Sequence, residues 1–155
     1  MRKRFHNLFL LCRFLPILIV SAEQRRILSD MMRFLRELPT IMEQPLPLAM
    51  RTVENLPTPV PLTEKQLREL VDLALALEWH SVPGICLKRS LTRYRYLSAS
   101  DVPLEVVFGV RFKNVKQVEN NIAGHAWLEQ AGEVYFESAE NTTPFKPIFR
   151  WPQLT

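Results

Sequence analysis

Apolar residues fall at helical spacing through the first two thirds of the chain, then in short β-branched and aromatic runs after residue 103. Ser21 followed by Gln24 is a capping box, so a helix is expected from about Ala22 to Glu37. Its stripe is Ile27, Met31, Phe34 and Leu35, and Pro39 is expected to end it. Thr63 followed by Gln66 is a second capping box, opening a helix near Glu64 to Trp79. There Leu67, Leu70, Val71, Ala74 and Leu77 make the stripe, and Leu73 and Leu75 widen it, which predicts a well-buried helix. Between these helices, Pro45-Leu46-Pro47 and Pro57-Thr58-Pro59-Val60-Pro61 mark a joint over 39–61, with room for a short helix around Leu48 to Asn55.

Pro83-Gly84 punctuates the chain. The run ICLKRSLTRYRYL then reads as a helix with Leu87, Leu91 and Tyr94 on one side and Cys86 in its first turn. A strand is expected over Leu104 to Phe112, then a polar loop, then a hairpin made of NIAGHAWLE and EVYFES. The tail, TTPFKPIFRWPQLT, holds three prolines and is expected to wrap the surface. The expected domains are a basic helical extension and Pro-rich joint over 1–61, followed by a neutral domain over 62–155.

Composition narrows the function classes. The chain has 155 residues, 47% hydrophobic and 23% charged, which fits one folded domain with an extension. Residues 1–60 hold nine Lys/Arg against five Asp/Glu, so the whole formal charge of +4 sits there. The N-terminus has the outline of a signal peptide, but Arg13 and Pro16 break its apolar run, so a cytoplasmic chain is expected. No uncharged stretch of membrane-spanning length occurs, so membrane association is not expected. Cys12 and Cys86 are too few for a disulfide scaffold or a thiolate zinc site, and no bound cofactor or metal is expected. No G-x-G-x-x-G or P-loop pattern occurs. Nor does any basic-plus-aromatic arrangement argue for nucleic acid. The cluster Lys88, Arg89, Arg93 and Arg95 is expected to be a solvated helix face.

The candidate chemistry centres on His125. A three-residue turn at Gln130-Ala131-Gly132 would oppose Glu129 with Glu133, Trp127 with Tyr135, and His125 with Glu137. Opposed residues share a face, so the imidazole and the carboxylate would lie side by side, Cβ atoms ~5 Å apart. The other face would take Ala126, Leu128, Val134 and Phe136 as a core surface. A two-residue turn at Ala131-Gly132 would instead place His125 and Glu137 on opposite faces. Unpaired N–H groups at a helix start favour a thiolate, so Cys86 is the candidate nucleophile. The expected triad is Cys86 as nucleophile, His125 as base and then acid, and Glu137 as orienter. Backbone N–H groups at the start of the Cys86 helix would serve as an oxyanion hole. Cys12 and His6 are expected to be bystanders, and His80 a helix-end residue with a weak claim as a base. Tyr94, Tyr96 and Trp127 are read as packing residues, although Trp127 shares the His125 face.

Three runs occur in order: CLKRSLTRYRYL from Cys86, VPLEVVFGVRF from Val102 and GHAWLE from Gly124. Together they resemble the transglutaminase-like leader peptidases of lasso-peptide biosynthesis, the family of the C-terminal domain of the microcin J25 processing protein. The resemblance covers roughly Leu62 to Ser138, and SAEQRRIL from Ser21 is similar to the N-terminal helix of the short members. It implies an α+β, papain/transglutaminase-like fold, with a nucleophile helix packed on a small antiparallel sheet behind an N-terminal helical extension. It implies a cysteine peptidase that removes the leader from a ribosomally made precursor peptide. The family nucleophile falls on Cys86 and its histidine on His125. The third family member is usually an aspartate, and the matching position is Glu137, one methylene longer; Asp101 is a fallback carboxylate. The resemblance also implies a separate leader-recognition protein and an asparagine-synthetase-like cyclase that uses ATP. The basic helices before residue 40 would dock one of these partners or an acidic leader, or would simply be a solvated surface. Two other readings stand beside hydrolysis. They are transglutaminase-like amide transfer through the same acyl-enzyme, and a non-catalytic peptide-binding adaptor.

Overall fold

Ser21 caps the first helix, α1 (Ala22–Ile41), its hydroxyl accepting from the Gln24 N–H at 3.3 Å. The computed structural model describes residues 21–55, 61–78, 84–100, 102–112 and 122–152. After α1 come α2 (Leu46–Glu54), α3 (Glu64–Leu77) and α4 (Ile85–Ser98). A sheet follows, built from β1 (Glu105–Phe112), β2 (Ile122–Gln130), β3 (Glu133–Val134) and β4 (Lys146–Trp151), with a short α5 (Ala139–Thr142) before β4. The strand order is β3-β2-β1-β4, and every pairing is antiparallel. The architecture is α+β, four longer helices and a small antiparallel sheet, as the resemblance implied.

The expected helices form, with corrections at their ends. α3 carries the full reciprocal capping box, Thr63 and Gln66 each bonding the other's backbone N–H. α1 does not end at Pro39 but runs through it to Ile41. The proline forfeits one backbone bond in the last turn. Leu38, 2% exposed, and Ile41 pack on the core there and hold that turn in place.

One core joins Met31, Leu35 and Leu38 of α1 to Met50 and Val53 of α2, Leu67 and Leu70 of α3, Leu91 and Leu97 of α4, and Val106 and Leu128 of the sheet. The packing therefore continues across residue 61, where the sequence places its division. α1 is a wall of the core and not an appendage to it. Two expectations are corrected. Of the basic residues of α4 only Arg89 is exposed: Lys88 is buried, Arg93 pairs with Asp72 at 2.9 Å, and Arg95 donates to the carbonyls of Thr52 and Val53. Nor does the tail merely wrap the surface, because β4 pairs along β1. Pro147 is tolerated there because β4 is an edge strand and its pairing shifts register beside Gly109.

Three buried tyrosines tie the helices together. Tyr96 donates to Asp30 of α1 at 2.7 Å, Tyr94 to Glu54 of α2 at 3.2 Å, and Tyr135 to Glu64 of α3 at 2.6 Å. Burial first, and the neighbouring carboxylate next, raise all three phenols above their ordinary value of 10.0. The folded state thus keeps these protons where an unfolded chain releases them. Their stabilisation is complete below pH 10 and is lost progressively as pH rises above it. Thermal melts between pH 9 and 12 should show this decline, and Tyr96→Phe should flatten it. Equal slopes in the two proteins would disprove the assignment.

Candidate active site

α4 packs on the sheet and carries Cys86 in its first turn. Gly84 precedes the helix with φ 88°, a left-handed position that favours glycine, and Cys86 is the second helical residue, half-buried. On β2, the carbonyls of Leu128 and Ala126 point to the side away from β1, because strand carbonyls alternate. Leu128 accepts from the Tyr135 N–H at 2.8 Å, where β3 is ending. Two residues on, Ala126 has no β3 partner; its carbonyl accepts instead from the buried Ser90 hydroxyl at 2.9 Å. The early end of β3 therefore opens the edge of β2, and α4 docks there. Cys86 lies one turn before Ser90 on the same side of the helix, and His125 precedes Ala126 on the strand.

His125 and Glu137 are in contact, Nε2 to Oε1 at 3.0 Å, with side chains 12% and 25% exposed. The route to that contact differs from the expected one. The hairpin turn is the two residues Ala131 and Gly132, at φ 51° and 83°, pairing Glu129 with Val134 and Gln130 with Glu133. Two left-handed residues make the turn whose twist matches the strands, and this register keeps Glu129 from facing Glu133. Continued regularly, it would carry Glu137 to the wrong face. β3 stops at Val134 instead, and Phe136 takes φ 49°, which turns the chain and returns Glu137 to His125. The core face consequently receives Tyr135, while Phe136, expected in the core, is 58% exposed.

A carboxylate partner at Nε2 favours the neutral tautomer that carries its proton on Nε2 and leaves the lone pair on Nδ1. The imidazole is flanked by Trp127, stacked at 5.7 Å between centroids, and by Phe145 at 5.0 Å. Trp127 is fixed in turn, its Nε1 donating to Glu129 at 2.9 Å. Arg150 of β4 donates to Glu129 at 2.6 Å and to Glu105 at 3.2 Å. The Glu129 hydrogen bond raises the pKa of that guanidinium above its ordinary value and keeps it charged. Gly109 faces His125 across β1, and the Trp127 ring lies over the space its missing side chain leaves.

Four residues gain a part that the sequence did not show: Ser90 as an anchor, Gly109 as a gap, and Trp127 and Phe145 as walls of the imidazole. The shared face of Trp127 and His125 was the one legible hint. Cys12, His6, His80 and the fallback Asp101 lie outside the described residues. Among the described residues no group of His, Cys, Asp and Glu is arranged to hold a metal ion, and no helix is long and apolar enough to cross a membrane.

The structure brings His125 and Glu137 together and sets Cys86 in the first turn of the helix that Ser90 ties to the His125 strand. The chain belongs to the transglutaminase-like superfamily, whose family profile matches residues 26–150. No curated protein and no solved structure matches it. The superfamily match takes in α1 as well as the domain after residue 61, in agreement with the shared core. Its members are generally cysteine-dependent enzymes, peptidases and transglutaminases among them.

Proposed function

We propose that this protein is a cysteine peptidase that cleaves the leader from a ribosomally made, lasso-type precursor peptide. The observation that carries the reading is the contact of Glu137 with His125, at 3.0 Å, His125 being on the strand against which Ser90 anchors the Cys86 helix. In this reading His125 Nδ1 takes the Cys86 thiol proton as Sγ attacks the scissile carbonyl carbon. Backbone N–H groups at the start of α4 receive the oxyanion. The imidazolium then gives its proton to the departing amine, leaving a thioester on Cys86. Water, deprotonated by the same imidazole, hydrolyses that thioester and restores the thiol. Glu137 holds the ring in one tautomer throughout.

The chemistry needs no bound cofactor; in the family the ATP is used by the partner cyclase. The proposed partners are the precursor peptide, a separate leader-recognition protein and the asparagine-synthetase-like cyclase, and the proposed location is the cytoplasm. As a docking face, α1 has less free charge than the sequence suggests. Arg26 pairs with Glu23, Arg33 with Asp30, and Arg36 with Glu78. Deleting residues 1–40 would also remove buried core side chains, so charge reversal on α1 is the usable probe of docking.

Labelling tests the nucleophile directly. Iodoacetamide at neutral pH should alkylate Cys86 well ahead of Cys12, read by peptide mass spectrometry, and alkylation should stop leader release. Equal labelling of the two cysteines, with leader release unaffected, would count against the proposal.

A further inference from the structure

Phe136 is a bulky residue held at φ 49°, a conformation that costs free energy unless its surroundings impose it. It sits between Tyr135 and Glu137, and its turn is what returns Glu137 to the His125 face. The side chains that grip this segment come from one helix, α3. The Arg68 guanidinium lies over the Phe136 ring, 3.3 Å from its centroid. The Tyr135 phenol donates to Glu64 at 2.6 Å, and Arg68 pairs with Glu64 at 3.5 Å. Glu64 and Arg68 are one helical turn apart, so a single face of α3 grasps two consecutive residues of the kink. Phe136 itself is 58% exposed, so core packing does not account for its conformation; its ring contacts are the Arg68 cation and the Tyr135 ring, 4.8 Å away.

We infer that Arg68 and Phe136 form a positioning clamp, in which Arg68 locks the left-handed turn at Phe136 and thereby holds the Glu137 carboxylate on His125. Neither residue touches the reacting atoms; both act through Glu137. The clamp rests on the peptidase reading for its purpose, but its geometry can be tested without it.

Two readouts are needed, in wild type, Arg68→Ala, Phe136→Leu, Phe136→Tyr and Glu137→Ala. The first is the His125 Nε2–H proton resonance by ¹⁵N-edited NMR, which a carboxylate hydrogen bond shifts downfield and protects from exchange. The second is Cys86 acylation by p-nitrophenyl acetate, with the Cys86→Ala rate subtracted. Wild type and Phe136→Tyr, which keeps the ring, should show the protected resonance. Glu137→Ala, Arg68→Ala and Phe136→Leu should lose it. Acylation should slow about tenfold in those three, in the maximal rate and not in KM, as expected of a displaced catalytic group. Because Phe136 is exposed, Phe136→Leu keeps the core intact even where Arg68→Ala disturbs α3. A protected resonance that survives in both Arg68→Ala and Phe136→Leu overturns the clamp, whatever the rates do. Acylation of Cys86→Ala at the wild-type rate overturns the nucleophile instead, and the resonance series still decides the clamp.

Discussion

Cys86→Ala and His125→Ala should each reduce leader release to background, a loss of roughly 10⁴-fold or more, while near-UV circular dichroism stays that of the folded protein. The loss is this large because the two groups act as one unit. Without the thiol no acyl-enzyme forms, and without the imidazole neither the thiol proton nor the leaving amine is served. For the same reason the double variant should be no worse than either single one. Both positions tolerate alanine structurally: Cys86 is half-buried at a helix start, and His125 is on a strand face, with neither in the helical core. Glu137→Ala should cost less, roughly 10- to 100-fold, because it only orients a ring that Trp127 and Phe145 also flank. A mass-spectrometric time course of the precursor in a reconstituted mixture measures all four variants. Leader release at the wild-type rate by Cys86→Ala would end the peptidase reading, and no loss in Glu137→Ala would move the orienting role elsewhere.

The helices were largely legible because their signals are local. Thr63 and Gln66 sit three residues apart and cap each other, and the stripe of α3 lies within four turns. What was misread depended on distant partners. Pro39 would end an isolated helix, but the core seat of Leu38 keeps α1 going. The tail prolines suggested a coil, yet an edge strand loses nothing at an unpaired N–H. The His125–Glu137 pair is the sharpest case. His125 and Glu137 were matched correctly, but by a hairpin register that the chain does not adopt. Their contact comes instead from a left-handed phenylalanine, held by the α3 turn whose Glu64 lies 71 residues from Tyr135 in the chain. No pattern around EVYFES announces that turn, because a bulky residue adopts it only when something outside the segment holds it there. The place of Cys86 at a helix start was legible for the opposite reason: glycine before it and helix after it are both local.

Gly109→Val should be the most damaging single change in the sheet, costing about 3 kcal/mol of stability and most of the activity. A Cβ at this position would lie 2.7 and 2.8 Å from two Trp127 ring carbons and 3.0 Å from the Phe145 Cβ. None of these neighbours yields easily. The Trp127 ring is 2% exposed, bonded to Glu129 through Nε1, and stacked on His125. Phe145 contacts His125 on its own account. A side chain at residue 109 therefore either forces β1 away from β2 or turns the indole, and turning the indole moves the imidazole. Gly109→Ala should show the same effects more weakly, since it adds the clashing Cβ without the two further methyls. Adding Trp127→Leu to Gly109→Ala separates the two consequences. Removing the ring relieves the clash, so the melting temperature should recover towards that of Trp127→Leu alone. Activity should stay low, because His125 has lost the surface it stacks on. Melting temperatures and cleavage rates of these variants test both halves of the argument. A Gly109→Ala protein with wild-type stability and wild-type rate would show that β1 yields there, and Gly109 would then have no part in setting His125.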